Sequence, residues 1–232
     1  MGHSVQPALR SGRQHGRITL RIIGLSVLTL SVTSSFADDV DVLVVDRDGQ
    51  PVADVAVFAT RSDGQNRPQP SAVNAVMDQV GKRFVPHLLI VRAGTPVEFP
   101  NSDTVAHHVY SFSHPNKFQL PMYKGTAHPP VTFEHSGVVI LGCNIHDHML
   151  GYILVVDSGT FTKTDIDGRA SLSLERPTDY EINIWSPRIR DGEELLSRTM
   201  SISPKQETAV TFQLVKKLIP PYGGRMASWQ KY

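Results

Sequence analysis

The amino-acid sequence predicts an all-β protein, and three features of the chain lead to that prediction. Short runs rich in Val, Ile, Phe and Thr recur along it, clusters of Gly, Pro, Asn and Asp separate these runs, and helical periodicity is nearly absent after residue 37. β-Branched and aromatic residues favour strands, whereas the separating residues favour turns. We therefore expect short strands joined by turns and loops.

The N-terminal segment, residues 1–37, has the features of an export signal. Four arginines and no acidic residue precede an apolar run, Ile22–Leu30, which is too short to span a bilayer. Ser35 and Ala37 place small residues at the two positions that a signal peptidase requires, so cleavage is expected after Ala37. The expected location is the periplasm, with no stable membrane span after cleavage; an uncleaved membrane anchor is the alternative.

The charge balance changes when this segment is removed. Loss of residues 1–37 takes away four arginines and no acidic residue, which leaves 19 basic against 22 acidic side chains. A nearly neutral, slightly acidic chain gives no electrostatic reason to expect a nucleic acid or an anionic membrane as a partner.

The first predicted strands lie directly after the export signal. Val40–Val45 and Val52–Thr60 are strand candidates separated by the turn Asp46–Pro51, and we expect them to pair as a hairpin. The polar stretch Arg61–Ser71 contains two prolines and no apolar pattern, so it is expected to be a connection.

The central part of the chain is expected to form a compact set of strands within residues 84–157. A long proline-containing loop is expected at Ser113–Pro130, and such loops inside compact domains are often functional. The strand candidates are Phe84–Val85, His87–Val91, Val97–Phe99, His107–Phe112, Val131–Phe133, Gly137–Cys143 and Gly151–Asp157.

The C-terminal part returns to strands separated by turns. Phe161–Arg169 is expected to be a strand followed by a turn, and three further strands are expected at Ala170–Leu174, Tyr180–Trp185 and Thr208–Val215. Residues 216–232 show no periodicity and are expected to be an irregular tail.

Cys143 is the single cysteine of the chain, so it has no partner for an internal disulfide. In an oxidising compartment such a thiol is buried, reactive or bound to metal, and inert burial is the commonest of the three. Here His146 and Met149 follow it at intervals of three residues. A thiolate, imidazole and thioether suit copper, because soft sulfur ligands favour Cu(I) and imidazole accommodates both oxidation states.

Two sequence patterns resemble the cupredoxins, the small blue-copper electron carriers that include plastocyanin and amicyanin. Cys143-x-x-His146-x-x-Met149-x-Gly151 resembles their copper loop, and its short spacing is most similar to the amicyanin type. Upstream, Gly94-x-x-Val97-x-Phe99-x-Asn101-x-Asp103 followed by His107-His108-Val109 resembles the strand and loop that carry their first copper histidine. The resemblance covers residues 85–157 and implies a Greek-key β-sandwich.

The resemblance implies one type 1 copper ion with four protein ligands. These are the imidazoles of His107 and His146, the thiolate of Cys143 and, as a weak axial ligand, the thioether of Met149. Two histidines and a cysteine in a trigonal arrangement with a long axial methionine are associated with electron-transfer copper.

Two neighbouring histidines are alternative ligands. His108 could replace His107, although strand alternation before Val109 favours His107. His148 could replace His146, although a Cys-x-x-His spacing fits the family. The residue after the first histidine is usually Asn in plastocyanin-like proteins, and His108 stands there instead, which leaves the hydrogen bonding between the two ligand loops open.

The two ends of the chain resemble one further module. The segment from Val40 to Val55 and the segment from Thr164 to Trp185 resemble the transthyretin-like, or carboxypeptidase regulatory-like, β-sandwich. We expect a discontinuous domain of residues 38–63 plus 158–215, with a cupredoxin domain of residues 75–157 inserted; two tandem pieces are the alternative. The whole resembles exported proteins of the methylamine utilization type.

The expected function is one-electron transfer between redox partner proteins, without substrate turnover. Copper trafficking, storage or sensing with the same ligands is the alternative, and a metal that only stabilises the fold is a weaker one. A binuclear thiolate-bridged centre needs two cysteines, and a trinuclear oxidase cluster needs several His-x-His pairs, of which only His146-x-His148 is present. A structural zinc site is disfavoured, because thioether is a poor zinc ligand.

Overall fold

The computed structural model of the protein describes residues 36–66, 74–125, 128–176, 178–189, 195–203 and 208–220. All regular secondary-structure elements within these ranges are β-strands, which confirms the all-β prediction. Within them, no helix has the length and apolar character needed to cross a bilayer. Almost all of the predicted export signal and most of the predicted C-terminal tail lie outside the described residues.

The described residues form 17 strands. In chain order they are β1 (Phe36–Val45), β2 (Ala56–Arg61), β3 (Ala75–Val76), β4 (Asp78–Gln79), β5 (Phe84–Val85), β6 (Leu88–Arg92), β7 (Pro96–Glu98), β8 (His107–Ser111), β9 (Phe118–Tyr123), β10 (Val131–Thr132), β11 (Gly137–Cys143), β12 (Leu150–Val156), β13 (Thr160–Lys163), β14 (Arg169–Arg176), β15 (Thr178–Trp185), β16 (Leu196–Ile202) and β17 (Ala209–Gln213).

The strands from the two ends of the chain pair with each other. One sheet has the order β14-β1-β17 and the other has the order β13-β2-β15-β16. Their inward side chains share one apolar core, to which β1 contributes Val40, Val42 and Val44 at every second position. None of these seven strands is hydrogen-bonded within a sheet to a described strand between residues 75 and 156.

The predicted hairpin of Val40–Val45 with Val52–Thr60 is wrong. The two segments share only a short bridge, in which Val45 lies opposite Pro51 and the amide of Val52 donates to the carbonyl of Val44 at 3.0 Å. The chain then crosses to the other sheet, where β2 pairs with β13 and β15. Alternation of apolar residues identifies the buried face of a strand, but it does not identify the neighbouring strand.

The strands between residues 75 and 156 form three sheets. The largest has the order β6-β12-β11-β8-β9, a second has the order β10-β7-β3, and β4 pairs with β5 in a small hairpin. A second apolar core lies among them and includes Phe84, Val109, Leu141 and Cys143. In β11, Val139, Leu141 and Cys143 are all buried, as the period-two pattern predicted.

The segment Ser113–Pro130 is not the continuous loop that its prolines suggested. It contains β9, which pairs antiparallel with β8 through a register shift between His107 and Val109. β9 lies at the edge of its sheet, where Pro121 is tolerated because one side of an edge strand needs no backbone donor.

A third cluster of buried side chains joins the two groups of strands. It contains Leu88 and Leu154 from the five-stranded sheet together with Phe58 and Trp185 from the sheet that includes β2 and β15. The five-stranded sheet therefore packs against the strands from the chain ends at β6 and β12.

Candidate metal centre

The candidate centre lies where β11 ends and β12 begins. Cys143 is the last residue of β11 and faces the core, and Met149 directly precedes β12. The amide of Met149 donates to the carbonyl of His146 at 2.8 Å, which closes the turn between the two strands. The turn therefore returns His146 and Met149 towards the thiol at its start.

His107 comes from a different part of the sequence. It is the first residue of β8, which pairs antiparallel with β11 so that Val109 lies opposite Cys143. This pairing places the buried imidazole of His107 beside the turn. Three predicted ligands thus come from one turn and the fourth from the neighbouring strand.

Three donor atoms form a small triangle. Nδ1 of His107 lies 3.1 Å from Nδ1 of His146, and each of these atoms lies 3.8 Å from Sγ of Cys143. His107 and Cys143 are buried, whereas His146 is partly exposed. Met149 is buried in the same core cluster as Cys143. In the described part of the chain this is the one group of three or more His, Cys, Asp or Glu residues within metal-binding distance.

The dimensions of this triangle fit a metal ion. Its centre lies about 2.1 Å from each of the three atoms, close to the roughly 2.0–2.3 Å of metal–imidazole and metal–thiolate bonds. Two imidazoles, a thiolate and a buried thioether form a donor set that is softer than zinc sites usually have and typical of copper. The residues present therefore fit a copper ion.

Asp103 contacts the far side of the His107 ring. Its Oδ2 lies 2.7 Å from Nε2 of His107, so the ring points its other nitrogen towards Cys143. The same carboxylate accepts hydrogen bonds from the amides of Gly81 at 2.6 Å and Lys82 at 2.7 Å. The sequence does not reveal this contact, because Asp103 stands out only as part of a motif and the two amides belong to a turn about 20 residues earlier.

The electrostatics of the site favour a charged Asp103 and a neutral His146. Burial acts to raise the pKa of Asp103, but the hydrogen bonds from Lys82, His107 and Gly81 together bring it below the ordinary value. Partial burial, followed by the nearby charges of His107, Lys82 and His148, lowers the pKa of His146. A neutral imidazole has the free lone pair that a metal requires.

The two alternative histidines lie outside the triangle. The ring of His108 packs at 5.7 Å from the ring of Tyr110. Both residues lie on the face of β8 opposite to His107. His148 is exposed, and its ring centre is 6.2 Å from that of His146. Neither belongs to the group of residues within metal-binding distance.

The long segment before β10 contributes an anchor rather than a donor. The hydroxyl of Tyr123 donates to the carbonyl of Phe99 and accepts from the side-chain amide of Gln79, and burial raises the pKa of this tyrosine to about 12. Met122 is 57% exposed. Tyr123 therefore holds its strand in place, and Met122 faces solvent.

No family model and no curated protein sequence matches the chain. Among solved structures, it is similar to a reduced mutant of amicyanin, with 23% identity over 43% of this chain and 99% of that one and a TM-score of 0.33. A purple cupredoxin from Nitrosopumilus maritimus is 24% identical over 36% of this chain and 100% of its own, with a TM-score of 0.32.

A third similar structure is the copper-containing nitrite reductase of Thermus scotoductus, which is 24% identical over 49% of this chain and 28% of its own, with a TM-score of 0.35. These identities and TM-scores are low, so the support for copper is the donor triangle itself. The chain is thus an all-β protein that is similar to amicyanin over 43% of its length.

Proposed function

We propose that the protein binds one type 1 copper ion and carries single electrons between redox partner proteins. The observation that supports this most strongly is the triangle of His107, Cys143 and His146 with Met149 buried beside it. A bound copper ion would supply a one-electron couple. In this proposal Cys143 is the thiolate ligand, the two histidines bind through Nδ1, and Met149 is the axial thioether.

The role of the protein is to hold these donors still. Cys143 and His107 belong to adjacent hydrogen-bonded strands and are buried, so neither side chain has room to change position. A site held in one geometry reorganises little when its metal changes oxidation state, which favours fast electron transfer. Close packing of the surrounding core is the physical reason for this rigidity.

The two imidazoles differ in their access to solvent, and this suggests where electrons enter and leave. His107 is 0% exposed, whereas His146 is partly exposed and is preceded by Ile145, which is 47% exposed. We propose that a redox partner docks over His146, because its imidazole edge offers a short covalent path from the metal to the surface.

Copper trafficking, storage or sensing is the second candidate. A cavity of about 340 Å³ is lined by Cys143 and Met149 together with Tyr110, Gly142, Asn144, Asp147 and Leu150. Because both sulfur-bearing residues belong to its lining, an external thiol or chelator that enters this cavity would come near a bound ion. Electron self-exchange and copper transfer to a chelator separate the two functions: slow electron exchange with rapid metal loss supports trafficking.

The proposed copper site is tested by loading the protein with Cu(II) and recording its visible absorption and EPR spectra. We expect an intense blue thiolate charge-transfer band that is absent from Cys143→Ser and retained in His148→Gln, the matched control. A colourless or weakly coloured Cu(II) complex of the wild-type protein would exclude the type 1 site.

We also propose that the protein is exported to the periplasm and cleaved after Ala37. Support comes from the sequence of residues 1–37, nearly all of which lie outside the described residues. Cleavage there would remove Phe36 and Ala37, the first two residues of β1, and would leave Asp38 to Leu43 to pair with β14. The mass of the protein recovered from the periplasm tests this proposal.

We propose a domain division that follows the sheet pairing. Residues 38–63 and 158–215 would form a transthyretin-like sandwich, residues 75–157 an inserted cupredoxin domain, and residues 216–232 a tail. The sets of strands that pair with each other support this division. Limited proteolysis tests it, because cleavage between residues 64 and 74 should leave both parts folded.

A further inference from the structure

The small hairpin β4–β5 contacts both segments that carry the metal-binding side chains. On one side, Ser102 Oγ donates to Asp78 Oδ2 at 2.8 Å, and the turn of the hairpin holds Asp103. On the other side, the fully buried ring of Phe84 lies against Gly151, whose Cα has no room for a side chain because an added Cβ would be 2.6 Å from Phe84 Cβ. Gly151 follows Met149 by two residues.

The turn of this hairpin has an unusual backbone that suits a carboxylate. Gly81 and Lys82 have φ values of 59° and 57°, and Val80 and Arg83 exchange backbone hydrogen bonds across them, as in a type I′ turn. A positive φ at a lysine costs about 1–2 kcal/mol. The two successive amides point at the carboxylate of Asp103, and two charge-assisted hydrogen bonds offset that cost.

Asp103 in turn determines which nitrogen of His107 faces the donor triangle. A neutral imidazole has one N–H donor and one nitrogen with a free lone pair. If Nε2–H donates to the carboxylate at 2.7 Å, the lone pair is on Nδ1, which lies 3.8 Å from the sulfur of Cys143. Nδ1 then accepts a hydrogen bond from Nδ1–H of His146 across 3.1 Å, so the two contacts of the ring are mutually consistent.

We propose that Asp103, held by the Gly81–Lys82 turn, is the positioning residue that fixes the tautomer and orientation of His107. The hairpin β4–β5 is then a clamp on both metal-binding segments. Metal-bound histidines generally donate their second ring nitrogen to a carboxylate or carbonyl, which fixes the ring and raises its basicity. The metal-affinity part of this inference rests on the proposed copper function, whereas the tautomer part does not.

A purely structural contact of the same loop provides the matched control. Ser102 is next to Asp103 and is exposed, and its hydroxyl binds the same hairpin through Asp78 without touching His107. Ser102→Ala therefore weakens the attachment of the loop to the hairpin and leaves the carboxylate–imidazole contact intact. Asp103→Asn keeps the size of the side chain but offers one acceptor oxygen in place of two, so the amides of Gly81 and Lys82 compete with His107 for it. Asp103→Ala removes the acceptors altogether.

The first test uses the metal-free, full-length protein and NMR of nitrogen-labelled histidine rings. Wild type and Ser102→Ala should show His107 as the Nε2–H tautomer with a slowly exchanging ring proton. Asp103→Asn should show a mixture of tautomers and loss of that protection, and Asp103→Glu should recover the wild-type tautomer. An Nδ1–H tautomer in wild type, or a His107 ring with unchanged tautomer and exchange protection in Asp103→Ala, would overturn the proposal.

The second test measures copper affinity by competition with a chelator. Asp103→Asn should lower the affinity about 10- to 100-fold, the usual loss when such a partner is removed, while Ser102→Ala should change it much less. Equal losses in both variants would reduce Asp103 to a structural contact and overturn the positioning role. If wild type binds no copper, the proposed function fails, and the NMR result alone decides the role of Asp103.

Discussion

The two apolar cores of the molecule both lie between β-sheets and differ in their contents. The core formed by the strands of the chain ends is aliphatic apart from Tyr180 and Phe212, and none of its members is a metal donor. The core between residues 75 and 156 includes Cys143 and Met149, and His107 is buried beside them. The two cores therefore differ in whether soft donors stand among the aliphatic side chains.

The buried polar side chains Thr164 and His107 differ in the same way. In the sandwich of the chain ends, Thr164 accepts from the amide of Val55 at 3.0 Å and donates to the carbonyl of Val52 at 2.7 Å, so it serves the backbone. Near the donor triangle, Asp103 contacts the ring of His107. Burying a polar group is costly unless it is hydrogen-bonded. The hydrogen bonds of Thr164 join two backbone segments, whereas the hydrogen bond of His107 orients its ring.

The largest expected loss of stability comes from a substitution among the strands of the chain ends, away from the donor triangle. Gly168→Ala would place a Cβ 2.5 Å from the carbonyl oxygen of Val44 and 3.0 Å from the amide of Val52, at a φ of +71°. Because backbone atoms cannot move aside cheaply, we expect a loss of about 3 kcal/mol in the free energy of unfolding. Urea denaturation measures it.

Gly49→Ala is the control for this change. Its φ is +78°, but an added Cβ would meet nothing within 4 Å. The loss in the free energy of unfolding should therefore come from the backbone conformation alone and be about 1 kcal/mol. Folded Gly168→Ala should bind copper as wild type does. A weakened metal site in this variant would show that the two regions are not independent.

The corresponding change in the other region should affect both stability and metal. In Gly151→Ala, the added Cβ would be 2.6 Å from Cβ of the buried Phe84, and such overpacking costs about 1–3 kcal/mol. Phe84 belongs to the hairpin that holds Asp103, so copper affinity should fall as well. Gly142→Ala is the control: it would meet only the tip of the Tyr110 ring at 2.8 Å, which can swing away. Wild-type copper affinity in Gly151→Ala would contradict the clamp.

A change at Met149 distinguishes a ligand from a core residue. Met149→Leu nearly conserves volume, so metal-free stability should change by less than about 1.5 kcal/mol. The reduction potential of the copper form should rise, because loss of the axial ligand leaves a lower coordination number in more apolar surroundings, and both favour Cu(I) over Cu(II). Protein-film voltammetry measures this change, and Met122→Leu at an exposed position is the control. An unchanged reduction potential would show that Met149 is a core residue and not a copper ligand.

The smallest expected effects belong to the histidines outside the donor triangle. His148→Gln should change the free energy of unfolding by about 0.5 kcal/mol or less, because His148 is exposed. His108→Asn should retain one copper per chain, whereas His107→Asn should not. Copper titration followed by absorption measures the stoichiometry. A loss of copper binding in His108→Asn would restore His108 as the ligand.

The sequence was most informative where structure is local. The intervals between Cys143, His146 and Met149 span a single turn, so their meeting does not depend on distant pairing. Period-two alternation also predicted the buried face of β11. Alternation did not predict the partner of β2, because it does not choose between sheets. The prolines suggested a loop where β9 lies, because the edge position that tolerates Pro121 is a property of the whole sheet.

The sequence by itself determined the all-β class and the loop in which Cys143, His146 and Met149 lie, because residue chemistry and short spacings carry that information. Only the tertiary structure decided that His107 rather than His108 meets Cys143 and that Asp103 holds its ring. The β8–β11 register turns one of two adjacent histidines inward, and the Gly81–Lys82 turn comes some 20 residues before the carboxylate it binds. Both depend on long-range pairing, which no local pattern specifies.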